Sequence, residues 1–222
     1  GAYADYVYIH PRSMLHKIGD NVSNEVAVLI CAVLGNGVRW LRQIGGMTIG
    51  QAVAIVGPGQ QGLAGVAVAK EAGAGPIMVV GLEQDAERLE LARRFGADLV
   101  INADRQDPVE MVKQATGGEM AGLVMDVTGH PNGARLGLEL AGEGSTIILP
   151  GIYGAKVEVP LALDKVVFKE ISLKGVFSHD YPAVEPAIKI AASGKYPLQD
   201  MVTHRFPLEK ALHALKLVGG EL

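Results

Sequence analysis

The sequence predicts an α/β fold, a doubly wound parallel sheet of six strands, from three observations. Short, β-branched apolar runs recur at 52–56, 77–80, 99–101, 123–127 and 146–149, each the length of a strand buried on both faces, and 171–177 alternates as a sixth strand. Stretches of helical period separate them, and strands joined by helical crossovers lie parallel with right-handed connections. The first run passes directly into Gly57-Pro58-Gly59-Gln60-Gln61-Gly62 and then into helix-compatible residues. That order of strand, glycine turn and helix is the context a dinucleotide-binding fingerprint requires.

Taken in order, residues 3–9 alternate aromatic and β-branched side chains with small or acidic ones, predicting a half-buried strand before a loop over 11–20. Ser23-Asn24-Glu25 predicts a helix start; the apolar stretch from Val26 continues through Gly35 and Gly37 to Leu41 and stops at Gly45-Gly46. A helix follows at 60–72. Asp85 is placed to cap the next one, which carries Leu89, Ala92 and Phe95 inward and Arg88, Glu90, Arg93 and Arg94 in water. Asp107-Pro108-Val109-Glu110 has the form of a capping box, and Gly117-Gly118 ends that helix. Further helices are expected at 132–140, 161–169 and 182–193. A last amphipathic one opens at Pro207 and halts at Gly219-Gly220.

Each glycine of the turn has a physical task. Gly57 makes the tight bend, Gly59 lets a diphosphate approach the backbone, and Gly62 lets the helix pack closely on the strand. The free N–H groups of Gln60, Gln61 and Gly62 at the helix start then face the phosphates.

Composition narrows the rest. A net charge of −4, with Lys and Arg scattered, gives no footprint for nucleic acid. The single cysteine, Cys31, excludes an internal disulfide and a multi-cysteine zinc lobe, and suits a reducing, cytoplasmic setting. No unbroken apolar run reaches about 18 residues and no signal peptide opens the chain, so neither a membrane nor export is expected. Starting at Gly1 and stopping at Leu222, the chain is expected to be part of a longer one. The six histidines form no HxxxH or HxH pattern and no GxSxG elbow occurs, which leaves hydrolase chemistry without support.

Several motifs in their order and spacing resemble the medium-chain dehydrogenase/reductases, the family that includes zinc-type alcohol dehydrogenases. They are Gly1-Ala-Tyr-Ala-Asp-Tyr-Val7, Gly57-x-Gly59-x-x-Gly62, the stretch from Arg88 to Asp98, Asp126-Val-Thr-Gly129, Leu173-Lys-Gly175 and Thr203-His-Arg-Phe-Pro-Leu208. The resemblance implies a Rossmann dinucleotide-binding domain at 35–178. It also implies remnants of a GroES-like catalytic domain at both ends: 1–34, with a connecting helix, and 179–222, whose helices return toward that domain. The implied activity is hydride transfer between NAD or NADP and a small-molecule alcohol or carbonyl substrate, this chain being the cofactor-binding portion. A non-catalytic nucleotide-binding module and a zinc-independent quinone or enone reductase are the alternatives.

By the same resemblance, Val127 and Thr128 after strand four, and Gly151 and Ile152 after strand five, line the adenine and nicotinamide paths. The acidic residue that binds the adenosine ribose falls on Gly81 when counted from Gly73 and on Glu83 when counted from Arg88-Leu89. Glu83 favours NAD, while Gly81 with Arg88 nearby would admit NADP. Zinc is expected only in a full-length protein, its ligand position falling on Cys31 or Ala32 by two counts that differ by one residue. One cysteine cannot make a zinc site, and Cys31 is expected as a buried free thiol. An anchoring arginine of many relatives has no counterpart near Val218. A homodimer is implied, paired through the edge strand at 171–177.

Overall fold

The structure, a computed structural model, describes residues 3–219 and Glu221. Gly1 and Ala2 of the opening motif, Gly220 of the last helix stop, and Leu222 lie outside the described residues. Six strands, β1 (Val53–Val56), β2 (Ile77–Gly81), β3 (Leu99–Asn102), β4 (Ala121–Asp126), β5 (Ala141–Leu149) and β6 (Ser172–Gly175), form one sheet. All pairings are parallel and the order is β3-β2-β1-β4-β5-β6. The winding direction reverses between β1 and β4, which opens a crevice at their carboxyl ends.

Alternation along the strands divides the core. Val53, Ile55, Ile77, Val79, Leu123 and Met125 face one layer. There they meet Leu63, Val66 and Ala67 of α2 (Gln60–Glu71), Leu89 and Ala92 of α3 (Ala86–Arg94), and Val184 and Ala187 of α7 (Tyr181–Ala192). Ala54, Val56, Met78, Val80 and Val124 face the other. They pack with Val112 of α4 (Pro108–Ala115) and Leu138 of α5 (Pro131–Leu140). Helices on both faces are why these strands read as unbroken apolar runs.

The first helical segment departs from ordinary geometry. Ser23 Oγ accepts the Val26 N–H to open α1 (Asn24–Ala27), and the backbone then widens into π-type turns at Ile30–Gly35 and Val38–Ile44. Leu34 N–H bonds Leu29 O and Gly45 N–H bonds Trp40 O, both five residues back. By length and composition Asn24–Ile44 could cross a membrane, a stretch that a count of unbroken apolar residues misses because Gly, Asn and Arg interrupt it. In the fold, Ile30, Val33, Leu34, Val38, Trp40 and Leu41 are buried in the core. Cys31 corrects an expectation: it is exposed, because the turn that buries Ile30 and Leu34 carries residue 31 to the outer side.

Other differences have local causes. Residues 3–9 form no strand, and Tyr3, Tyr6, Val7, Tyr8 and Ile9 are exposed; alternation specifies a strand only where a neighbouring strand can pair with it. β5 begins at Ala141 rather than 146, directly after α5, through small residues that carry no apolar signature. Asp85 does not cap α3. Its Oδ2 accepts the Leu82 N–H and its Oδ1 pairs with Arg88, while a 3-10 turn, Glu83–Asp85, leads into the helix. Asp107 does cap α4, accepting the Val109 and Glu110 N–H groups. The Glu110 carboxylate accepts from Gln114 Nε2 rather than closing a capping box. α6 (Leu163–Phe168) and α8 (Ala211–Val218) are shorter than expected, and a 3-10 turn, Leu208–Lys210, precedes α8.

Candidate cofactor-binding site

The crevice at the carboxyl ends of β1, β4 and β5 is built mainly of backbone. Gly57 turns the chain with φ +103°, and its N–H donates to Val80 O. A Cβ there would press on Thr128 Cγ2 at 3.1 Å and Val127 Cγ2 at 3.2 Å, so both side chains lie directly over the turn. Gly62 lies closer still: a Cβ would come within 2.0 Å of Gly57 O. The first turn of α2 therefore rests on the backbone of the bend. At Gly59, the N-cap of α2, a Cβ would meet nothing within 4 Å, and no side chain caps the helix. The N–H groups of Gln60, Gln61 and Gly62 are thus first-turn donors beside open space, the arrangement that binds a diphosphate. The Gln61 side chain turns away, donating from Nε2 to Ala32 O.

The loops after β4 and β5 meet beside this bend. Gly151 abuts Gly129 so closely that a Cβ on Gly151 would lie 2.6 Å from Gly129 N. Asp126, the last residue of β4, is fully buried. Its Oδ1 accepts the Thr128 N–H at 3.0 Å and the Thr128 hydroxyl at 2.7 Å, and its Oδ2 accepts the Tyr153 hydroxyl at 2.8 Å. Burial, and then the Asp126 carboxylate, push the Tyr153 phenol well above its ordinary pKa, so it remains a donor. Ile152 is 77% exposed. His130 caps α5, its Nδ1 accepting the Asn132 N–H, and its backbone N–H donates to Thr128 Oγ1 at 3.1 Å.

At the end of β2 the strand-terminal position is Gly81, paired with Asn102 of β3. Pro58 already fills the space a side chain there would need, its Cγ 2.8 Å from a Cβ built on Gly81. Glu83 stands two residues on, and its carboxylate accepts from Asn102 Nδ2 and pairs with Arg105. Arg88 turns to the flank of α3, where it pairs with Asp85 and lines a depression with Asp200, Thr203 and His204. The structure thus gathers Gly57, Gly59, Gln60, Gly62, Val127, Thr128, Gly151 and Ile152 around one crevice, with Glu83 at the neighbouring strand end. Asp126, Tyr153, Asn102 and Arg105 were not marked by the sequence as site residues; an acid closing an apolar strand was the available signal for Asp126.

A second depression, of about 860 Å³, lies at the amino ends of the strands between Gln51, Pro76, Thr116, Glu119 and Lys169. It is on the opposite edge of the sheet from the glycine turn, whereas ligands of open α/β sheets sit at the carboxyl ends. Among the described residues no three His, Cys, Asp or Glu side chains converge to hold a metal. The described residues therefore do not fit a zinc site by themselves, whereas the bend, open at Gly59 and lined there by backbone N–H groups, does fit a dinucleotide.

Residues 62–193, more than half the chain, match the family model described as zinc-binding dehydrogenase. The chain belongs to the zinc-binding dehydrogenase family. It is 39% identical over 224 aligned positions to a probable alcohol dehydrogenase of Mycobacterium tuberculosis, covering 100% of this chain and 60% of that protein. It is 32% identical to an L-threonine 3-dehydrogenase of Bacillus licheniformis, over 95% of this chain and 59% of that one. Among solved structures, the alcohol dehydrogenase TADH of Thermus sp. ATN1 superimposes with a TM-score of 0.80 at 28% identity, covering 93% of this chain and 60% of that one. The chain thus spans about 60% of the length of these zinc-binding dehydrogenase relatives. The six-stranded order described above is the nucleotide-binding fold of that family.

Proposed function

We propose that this chain is the cofactor-binding portion of an NAD(P)-dependent oxidoreductase of the alcohol dehydrogenase type, acting on a small alcohol or carbonyl compound. The observation that carries the reading is the bend at Gly57–Gly62, where close packing at Gly62 and open space at Gly59 leave helix N–H donors facing the crevice. When bound, the nicotinamide ring supplies the hydride acceptor or donor.

The chain's own residues bind and orient. The N–H groups of Gln60, Gln61 and Gly62 hold the diphosphate, and Val127 and Thr128 cover the bend. Gly151 and Ile152 border the ring, and Glu83 accepts from the adenosine ribose. A carboxylate at that place favours NAD over NADP, because it would repel a 2′-phosphate. No step is assigned to zinc, and the walls that choose a substrate are not assigned to these residues.

The homodimer belongs to the same reading. β6 is an edge strand with Ser172 and Leu173 exposed and Phe177 just beyond, and an uncovered edge pairs readily with a second copy. The exposed thiol of Cys31 suits a reducing cytoplasm, and the net charge of −4 disfavours nucleic acid.

The test is titration of the chain with NADH and NADPH, following the fluorescence of the reduced ring. Binding of either that is lost in Gly62→Val supports the proposal, and no response to both refutes it.

A further inference from the structure

We infer that Tyr153 is a positioning residue: its hydroxyl, bonded to Asp126, holds the loop after β5 so that Ile152 faces the nicotinamide ring. This rests on the cofactor reading above. The loop over 150–162 has no regular structure before α6 begins at Leu163, so no ladder fixes it. Its described internal backbone bond, Val157 N–H to Gly154 O, is local. Leu161 packs on the core at the loop's far end, and at its near end, over 151–153, two contacts tie it to the sheet. One is the backbone approach of Gly151 to Gly129, and the other is the Tyr153 hydroxyl on Asp126 Oδ2.

The second contact is the one with directional force. Asp126 is fully buried, and its two oxygens serve the two walls of the crevice separately: Oδ1 takes both Thr128 donors on the β4 loop, and Oδ2 takes Tyr153 on the β5 loop. Losing the phenol leaves a buried carboxylate oxygen without its donor, a costly state that anchors Tyr153 inward. Tyr153 is half-buried with its hydroxyl on Asp126, while Ile152 beside it is 77% exposed, so the two side chains leave the loop on different sides. Room for the network comes from α5, where a Cβ on Gly133 would lie 2.1 Å from Thr128 Oγ1 and 2.5 Å from Asp126 Oδ1.

The experiment compares two ligands on this chain by calorimetry: NADH, and ADP-ribose, which keeps the adenosine and diphosphate but lacks the ring. Tyr153→Phe removes only the hydroxyl. NADH affinity is expected to fall about tenfold while ADP-ribose affinity stays within about twofold. Equal losses for both ligands would mean general damage and would overturn the inference, as would unchanged NADH affinity. Should Tyr153→Phe fail to fold, Ile152→Ala carries the test, because it breaks no hydrogen bond. It should weaken NADH alone, and unchanged NADH affinity overturns the inference. A wild-type chain that binds neither ligand overturns the cofactor reading and this inference with it. Binding of both ligands with no selective loss in either variant overturns this inference alone.

Discussion

The ring of Pro58 occupies the space that a side chain on Gly81 would need: a Cβ on Gly81 would lie 2.8 Å from Pro58 Cγ and 3.2 Å from Leu89 Cδ2. The second residue of the glycine turn and the last residue of β2 are therefore chosen together. Gly81→Ala is expected to lose about 1–3 kcal/mol through overpacking. Pro58→Ala, which removes the obstructing ring carbons, should return most of that loss. Urea unfolding of the wild type, both single variants and the double variant checks this, and additive losses would mean that the two residues are not coupled.

Gly62 and Gly59 lie three residues apart, yet they should respond oppositely to the same methyl group. At Gly62 the obstacle is the backbone of Gly57, 2.0 Å from the Cβ position, and no flexible side chain can yield. Gly62→Ala should cost about 2 kcal/mol or more of stability and weaken NADH binding with it. At Gly59 the Cβ meets nothing and φ is −68°, so Gly59→Ala should leave stability within about 0.5 kcal/mol. NADH should still bind at least about tenfold more weakly, since the methyl group enters the space through which the diphosphate approaches. Thermal unfolding and NADH titration of the two variants separate packing from ligand approach. A shared stability loss would contradict the assignment of Gly59.

In the proposed reading, cofactor choice turns on Glu83 and Arg105. Their ion pair is solvent-exposed, so Glu83→Gln should change stability by no more than about 0.5 kcal/mol. The substitution also removes a carboxylate that repels a 2′-phosphate and frees a guanidinium suited to bind one. The ratio of NADPH to NADH affinity should rise about tenfold. If competitive titrations of the variant give the wild-type ratio, Glu83 does not face the ribose.

How much of this was legible in the sequence depends on how local each cause is. β1 and its glycine turn were readable because strand burial, bend and helix start all lie within residues 52–65. The cap at Asp107 was readable for the same reason. Residues 3–9 carry the right alternation, but no described strand lies alongside to pair with them. Cys31 misled because the turn widens to five-residue spacing there, which shifts which side chains face inward. Tyr153 and Arg105 were invisible for a different reason. Each acquires its partner across 27 or 22 residues of chain, Asp126 and Glu83 respectively, and nothing beside either in sequence announces the contact. Likewise, Gly81 lies under the ring of Pro58, a packing fact with no local signature.

Glu71, at the end of α2, joins the helix to the segment after α7, accepting from Lys195 Nζ at 2.8 Å and from the Tyr196 hydroxyl at 2.9 Å. The Lys195 bond first, and then that of Tyr196, lower its pKa below the usual 4.5. A lowered carboxylate binds its proton more weakly in the folded chain than in the unfolded one. Its contribution is therefore present above about pH 4.5 and is lost as pH falls through the folded value. Glu71→Gln should thus be less stable than the wild type at pH 7, by less than about 1 kcal/mol because the side chain keeps 32% exposure. The two unfolding curves should converge as pH drops below 4.5, since the wild-type carboxylate then also carries no charge. The Tyr196 phenol moves the opposite way, raised by burial and then by Glu71. Tyr196→Phe should accordingly reduce the loss of stability above pH 10, where the unfolded chain releases a proton that the folded one retains. Urea midpoints across the pH range measure both limbs, and parallel acid limbs for wild type and Glu71→Gln would show that this carboxylate does not couple α2 to Lys195.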